Sequence, residues 1–213
     1  LLLYVGIGFL LIPLNTQLVF IRARASAQTT FFFFWLALLP FLHASLYALC
    51  PLFFFLLSLF CLTAAYQDPR PMGLVYHALL CLGLAVCFAP ELLLLLPAYA
   101  VGAGLFRICT WRNLLAGVLG LLFAAVLFTA VAWSLGEPLL LFGQFGRFFA
   151  QVLLPCSGRP WWAMVLVGYQ ALLLLATLLT YWLKRPKTGV RAHDFLNFFF
   201  LVELLLLAGM GLR

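Results

Sequence analysis

Long apolar segments separated by short polar ones form the dominant pattern of this chain of 213 residues. The polar separators lie at residues 22–30, 67–73, 107–113, 136–160 and 184–194. A helix needs about 20 apolar residues to cross the hydrocarbon core of a bilayer, and four of the apolar segments fit one crossing each. These segments are residues 1–20, 114–135, 161–183 and 195–212.

Two further apolar segments, 31–66 and 74–106, are too long for one helix. Cys50-Pro51 interrupts the first and Pro90-Glu91 the second, and proline breaks helices because it lacks a backbone N–H. We therefore predict a hairpin of two short helices in each segment, which either cross the bilayer or re-enter it. The predicted fold class is an all-α, polytopic transmembrane helical bundle of about eight crossings.

The composition also favours a membrane protein. Hydrophobic residues make up 67% of the chain and charged residues 8%, and the mean hydropathy is +1.20. A soluble chain of this size carries far more polar residues on its surface. We expect residues 1–213 to form a single transmembrane domain, which is an internal piece of a longer polypeptide because no initiator methionine precedes Leu1.

The positive charges predict the orientation. Nine of the 12 lysines and arginines fall in alternate polar loops, 21–30, 67–73, 107–113 and 184–194. By the positive-inside rule these loops are cytoplasmic. The net charge of +7 does not indicate nucleic-acid binding, because the basic residues are short clusters between apolar spans rather than one continuous face.

One acidic side chain, Glu203, lies within the last predicted crossing. The preceding crossing carries Gln170, Thr177 and Tyr181 on one helical face. If the two helices pack antiparallel, a protonated Glu203 reaches Gln170 or Thr177 and binds the helices together. The alternative is a relay for protons or substrate, since intramembrane acids often mark pathways. His43, also within a span, is interpreted as a packing residue rather than a ligand.

The external segment 136–160 predicts an amphipathic helix lying in the outer interface. Gln144, Arg147 and Gln151 fall on one side of it, with phenylalanines on the other. It is either a lid on the bundle or a surface that binds lipid headgroups, a lipid-linked substrate or a partner protein.

Two acids, Glu91 and Glu137, are predicted on the same outer face. Either acid could serve as the base of an enzyme acting on lipid-linked sugars, with Arg147 or Arg159 binding the phosphate. The simpler interpretation is that both glutamates are loop and helix-start residues.

Sequence motifs for other chemistries are absent. The chain has no GxxxxGK[ST], HExxH or GxSxG, which argues against nucleotide hydrolysis, zinc proteolysis and hydrolase chemistry. Its six cysteines have no CxxC spacing and resemble small buried apolar residues. We therefore predict no catalytic residue, metal or cofactor.

The order NTQLVFIRARASAQTTFFFFWLALLP, a hairpin, the turn FRICTWRN and the basic loop KRPKTGVRAHDFL resembles a family of uncharacterised multi-spanning inner-membrane proteins of the Bacteroidetes. The resemblance covers nearly the whole chain. It implies a bacterial cytoplasmic membrane and assigns no catalytic residue.

Taken together, these features predict an integral subunit or scaffold of a larger bacterial envelope assembly, with membrane lipids and other membrane subunits as partners. The alternative is a transporter or a membrane enzyme that handles lipid-linked glycans or polyprenyl lipids.

Overall fold

The computed structural model describes residues 2–18, 46–66, 70–136, 142–146 and 190–212, with a few isolated positions between these ranges. Within them every regular element is helical, which confirms the all-α class. The α-helices are α1 (Leu2–Leu18), α2 (Leu46–Ala64), α3 (Met72–Phe88), α4 (Leu96–Leu105), α5 (Trp111–Ser134) and α6 (Val190–Leu212). A 3-10 helix, Pro90–Leu95, leads from α3 into α4.

The chain divides into two compact units. The first unit contains α1, α2, α3 and α5, in which α3 packs against both α2 and α5, and α1 packs against α2. The second unit contains α4 and α6, which contact each other.

The contact between α3 and α5 depends on small residues. A Cβ built on Gly120 would lie 2.5 Å from the carbonyl oxygen of Tyr76, and one built on Gly83 would lie 2.7 Å from the Cβ of Ala124. A Cβ on Gly117 would collide with the Leu79 side chain. These two helices therefore approach backbone to backbone, as small residues permit in membrane helix pairs.

The same contacts set the direction of the two helices. Gly117 meets Leu79, while Gly83, further along α3, meets Ala124, further along α5. The helices α3 and α5 therefore run parallel, and the chain returns to the starting end of α3 before α5 begins. Parallel packing places the N-termini of both helices at the same end of the first unit.

The helices α2 and α3 are antiparallel and share a polar contact within an apolar interface. The hydroxyl of Ser58, fully buried, donates to the carbonyl oxygen of Ala78 at 2.6 Å, which satisfies a group that would be costly to bury alone. At the other end of this interface Phe54 stacks on Phe88, with ring centroids 6.3 Å apart.

In the second unit, α4 and α6 meet at an aromatic ring. A Cβ on Gly102 would lie 2.6 Å from the ring of Phe198, so glycine leaves room for that ring against α4. The ring of Phe198 also meets Tyr99 edge-on, at 6.0 Å between centroids.

The proline interruptions behave differently from one another. The predicted break at Pro90-Glu91 is confirmed, because α3 ends at Phe88 and a 3-10 helix follows. The predicted break at Cys50-Pro51 is wrong, because Pro51 lies inside α2 as its sixth residue. A proline inside a helix removes one backbone hydrogen bond and need not end the helix.

Among the described residues, α5 is the one helix long and apolar enough to cross a membrane, with 24 residues. The described apolar parts of the other helices have 10–17 residues. At about 1.5 Å per residue, such helices reach less than the roughly 30 Å of a hydrocarbon core. The structure therefore does not support eight crossings.

Candidate functional site

A cleft of about 630 Å³ lies at the end of the first unit where α3 and α5 begin. Two loops form it, one between α2 and α3 and one that precedes α5. We call it the arginine cleft, and it is lined by Asp68, Arg70, Pro71, Met72, Phe106, Arg107, Ile108, Thr110, Arg112 and Asn113.

The first loop is held by its own hydrogen bonds. The backbone N–H of Asp68 donates to the carbonyl oxygen of Ala65. The carboxylate oxygen Oδ1 of Asp68 then accepts from the backbone N–H of Arg70 at 2.9 Å. This is the local turn that aspartate side chains commonly stabilise, and it fixes the backbone from which the Arg70 side chain extends.

The second loop is held by the start of α5. Thr110 caps the helix, because its hydroxyl oxygen accepts from the backbone N–H of Asn113 at 3.3 Å. The buried amide of Asn113 donates to the carbonyl oxygen of Ile108 at 2.7 Å. These bonds order the segment that carries Arg107 and Arg112.

An aromatic contact joins the two loops. Phe106 is only 1% exposed, and its ring meets Tyr66 edge-on with 5.6 Å between centroids. Burial of an aromatic side chain of this size is a large stabilising contribution. The contact therefore holds the loop of Arg70 against the loop of Arg107.

Arg107 has a left-handed backbone, with φ of 58°. It lies just past the end of α4, at a position where glycine is the usual residue because it has no Cβ. The left-handed conformation costs an ordinary residue about 1–2 kcal/mol. Strained residues of this kind cluster at functional sites.

The charge of the cleft is strongly one-sided. Three arginines line it against one acid, Asp68. The N-termini of α3 and α5, which carry partial positive charge, lie at the same end of the first unit. Neither helix has an acidic residue in its first turn. Chemically, the arrangement suits an anion with several oxygens, since guanidinium groups bind such anions through paired hydrogen bonds.

Of the candidate side chains predicted to lie within the membrane, the structure describes one. Glu203 lies half-buried on α6. Gln170, Thr177, Tyr181 and His43 lie outside the described residues. The predicted contact of Glu203 with Gln170 or Thr177 therefore stays a prediction.

Of the candidate side chains predicted on the outer face, the structure also describes one. Glu91 lies half-buried in the first turn of the 3-10 helix. Glu137, Arg147 and Arg159 lie outside the described residues, so a joint site with Glu91 stays a prediction.

Residues 142–146 are the described core of the predicted amphipathic helix, and they are helical. Phe142 is exposed. The Oε1 atom of Gln144 is buried and has no hydrogen-bond partner among the described residues. Apart from Gly136 and Leu139, the remainder of segment 136–160, with Gln151, lies outside them.

The sequence interpretation treated Arg70, Arg107 and Arg112 as topology signals and missed the cleft. A usable signal was present, because the loops 67–73 and 107–113 were both predicted to face the cytoplasm. Each of these loops directly precedes an apolar helix. The sequence did not show that the two helices are parallel neighbours.

Metal ligands do not cluster in the described part of the chain: no group of three or more His, Cys, Asp or Glu side chains there could hold a metal ion. The five described cysteines are free thiols.

No protein-family model, curated protein or solved structure matches this chain. The resemblance to the Bacteroidetes inner-membrane family accordingly stays an expectation.

Proposed function

We propose that this protein is a multi-spanning membrane protein that acts as an integral subunit or scaffold of a larger assembly in the bacterial envelope. The observation that carries the proposal is the distribution of side-chain size around α5. Its packed face is built from small residues and its outer face from large apolar ones.

The packed face of α5 contains Ala116, Gly117, Gly120, Ala124 and Ala132, all buried. The outer face exposes large apolar side chains along nearly the whole helix: Leu114, Leu115, Val118, Leu119, Leu122, Phe123, Val126, Leu127 and Val131. In a water-soluble protein the large apolar side chains would pack inside.

This distribution favours a lipid surrounding. Soluble monomers rarely expose contiguous apolar patches larger than about a few hundred Å². In a bilayer, lipid tails are as apolar as leucine, and small residues drive the packing by letting backbones approach. Only 22% of the most apolar 18-residue window of α5 is buried, whereas the core helix of a soluble protein is mostly buried.

The two ends of α5 fit the thickness of a bilayer. Trp111 and Trp133 are each 73% exposed. They are 22 residues apart, which corresponds to about 33 Å along a helix. Tryptophan concentrates at the two membrane–water interfaces, about 30 Å apart across the hydrocarbon core. The spacing therefore supports a complete crossing by α5.

We also propose that the chain crosses the bilayer several times in the predicted orientation. The arginine cleft then lies on the cytoplasmic side, as the positive-inside rule requires of loops 67–73 and 107–113. Parallel packing of α3 and α5 supports this orientation, because two helices that start on the same side of the membrane must run in the same direction.

The subunit role rests on the same outer face of α5. A continuous row of large apolar side chains along a whole crossing can contact either lipid or a helix of another membrane subunit. The alternative of a transporter or lipid-linked glycan enzyme depends on polar residues within or outside the membrane, chiefly Glu203 and Glu91.

The test is purification from the native membrane in a mild detergent, with identification of co-purifying proteins and lipids. We expect a defined set of membrane proteins in constant ratio. Replacement of Leu122, on the outer face of α5, by a bulkier residue such as Trp should release them, while Ala116→Ser on the packed face should not. A protein that purifies alone with a bound polyprenyl lipid would contradict the subunit role and favour the enzyme.

A further inference from the structure

We propose that the arginine cleft binds a phosphate group, carried either by the headgroup of a membrane phospholipid or by a soluble phosphate ester. The lipid source rests on the proposed membrane location, whereas the phosphate chemistry rests on the cleft alone.

The first support is the excess of positive charge around an open cavity. Arg70, Arg107 and Arg112 line the cleft with one carboxylate, that of Asp68. One oxygen of this carboxylate already accepts from the backbone N–H of Arg70. No ion pair among the described residues joins Asp68 to any of the three guanidinium groups, so the cleft retains its charge.

The second support is that the arginines lie where positive charge is least favourable. Arg112 is in the first turn of α5 and Arg70 precedes the first turn of α3. Cations near the positive end of a helix destabilise it, and here two such ends lie side by side because the helices are parallel. A bound anion offsets both the helix dipoles and the arginine charges.

The third support is the backbone of Arg107. A glycine would adopt its left-handed φ of 58° without strain, and would leave the neighbouring bonds of Ile108 and Asn113 unchanged. Those bonds involve no atom of the Arg107 side chain. That side chain, however, adds a third guanidinium group to the lining.

Phosphate fits this lining better than a carboxylate does. A phosphate offers three or four oxygens and up to two negative charges, which can meet several guanidinium groups at once. The volume of about 630 Å³ falls within the range of small-molecule sites, about 300–1,000 Å³. The cleft therefore has room for the organic group that bears the phosphate.

The position on α5 favours a lipid headgroup as the source. Arg112 follows Trp111, an exposed aromatic residue at the end of the proposed crossing, which places the cleft at headgroup depth. The cytoplasmic leaflet carries anionic lipids that attract basic residues next to membrane helices.

The experiment uses the full chain purified in a maltoside detergent, which contains no phosphate. Glycerol 3-phosphate is titrated calorimetrically to probe soluble phosphate esters. Phosphatidylglycerol and diacylglycerol, which differ by the phosphate-bearing headgroup, are compared by native mass spectrometry. Neither binding measurement assumes a topology. Both therefore remain interpretable if the proposed membrane arrangement is wrong.

Three variants test the assignment. Arg107→Gly and Arg112→Gln each remove one guanidinium group, and we expect each to weaken binding at least about tenfold, since hydrogen bonds between charged groups have this strength. Asp68→Asn keeps an oxygen for the Arg70 N–H and removes the opposing charge, so we expect severalfold tighter binding. Thermal unfolding verifies that each variant is folded.

Selective binding of phosphatidylglycerol assigns a lipid headgroup, and binding of glycerol 3-phosphate alone assigns a soluble ester. Both outcomes support the phosphate site when the two arginine variants lose affinity. The proposal is overturned if the wild-type protein binds neither compound. It is equally overturned if a folded Arg107→Gly or Arg112→Gln protein binds as tightly as the wild type.

Discussion

The helices α3 and α5 meet in two regions with opposite chemistry. Along their length they contact through glycine and alanine, with backbone atoms close together. At their starts they surround a cleft with three arginines, beside two helix N-termini. The first region is a close contact between small residues, whereas the second places arginines at helix N-termini and gives one of them a left-handed backbone. Such departures are expected at functional sites, where stability is not the only requirement.

The largest loss of stability is expected at the contact that joins the two loops of the cleft. Phe106→Ala removes a ring that is 1% exposed and contacts Tyr66. We expect a loss of about 3–5 kcal/mol in the free energy of unfolding, measured by denaturation in detergent. The matched control is Phe123→Ala on the exposed face of α5. Equal losses in the two variants would contradict the role of Phe106 as an anchor.

The next largest loss of stability is expected at the contact between α3 and α5. In Gly120→Ala the new Cβ would lie 2.5 Å from the carbonyl oxygen of Tyr76, a backbone atom that cannot rotate away. We expect a destabilisation of about 1–3 kcal/mol, as for other overpacked sites. Gly104→Ala, where nothing lies within 4 Å, is the control. A stable Gly120→Ala protein would show that α3 and α5 are further apart than described.

A loss of stability of similar size is expected at the start of α5. Asn113→Ala leaves the carbonyl oxygen of Ile108 without its 2.7 Å partner, in a buried position. Loss of a buried hydrogen-bond partner costs about 1–3 kcal/mol. Thr129→Val, which removes a hydroxyl that bonds within α5 alone, should cost less. Melting temperatures of the two variants should therefore differ, and identical values would contradict the structural role of Asn113.

The smallest expected change in stability is a gain rather than a loss. Arg107→Gly relieves the left-handed conformation of an ordinary residue, and we expect a gain of about 1 kcal/mol in stability. Arg107→Ala, which keeps a Cβ and removes the same charge, should show no such gain. If the alanine variant is stabilised as much as the glycine variant, the cause is charge repulsion rather than backbone strain.

The sequence predicted the helix bounds well where the length of an apolar run or a proline determined them. It predicted α5 within a few residues, because an apolar run of that length between polar loops leaves few alternatives. It also predicted the break at Pro90. It failed at Pro51 because the pattern alone does not show whether a proline ends a helix or lies within it.

The candidate site was harder to predict because it depends on tertiary structure. Apolar patterns indicate which residues are helical, and they do not indicate which helices are neighbours. Arg70 and Arg107 are 37 positions apart in the sequence. The contact of Tyr66 with Phe106 brings their loops together. The positive φ of Arg107 has no sequence signal, since glycine is the residue that normally marks it.

The most direct test of the account asks whether α5 crosses a membrane with the arginine cleft inside the cell. Two single-cysteine proteins serve, one keeping the exposed native Cys109 and one carrying Leu135→Cys just past the other end of α5, also exposed. Both are treated in intact spheroplasts with a membrane-impermeant maleimide. We predict labelling at position 135 only, with Cys109 labelled after permeabilisation. Labelling of both positions in intact spheroplasts, or of Cys109 alone, would contradict the account.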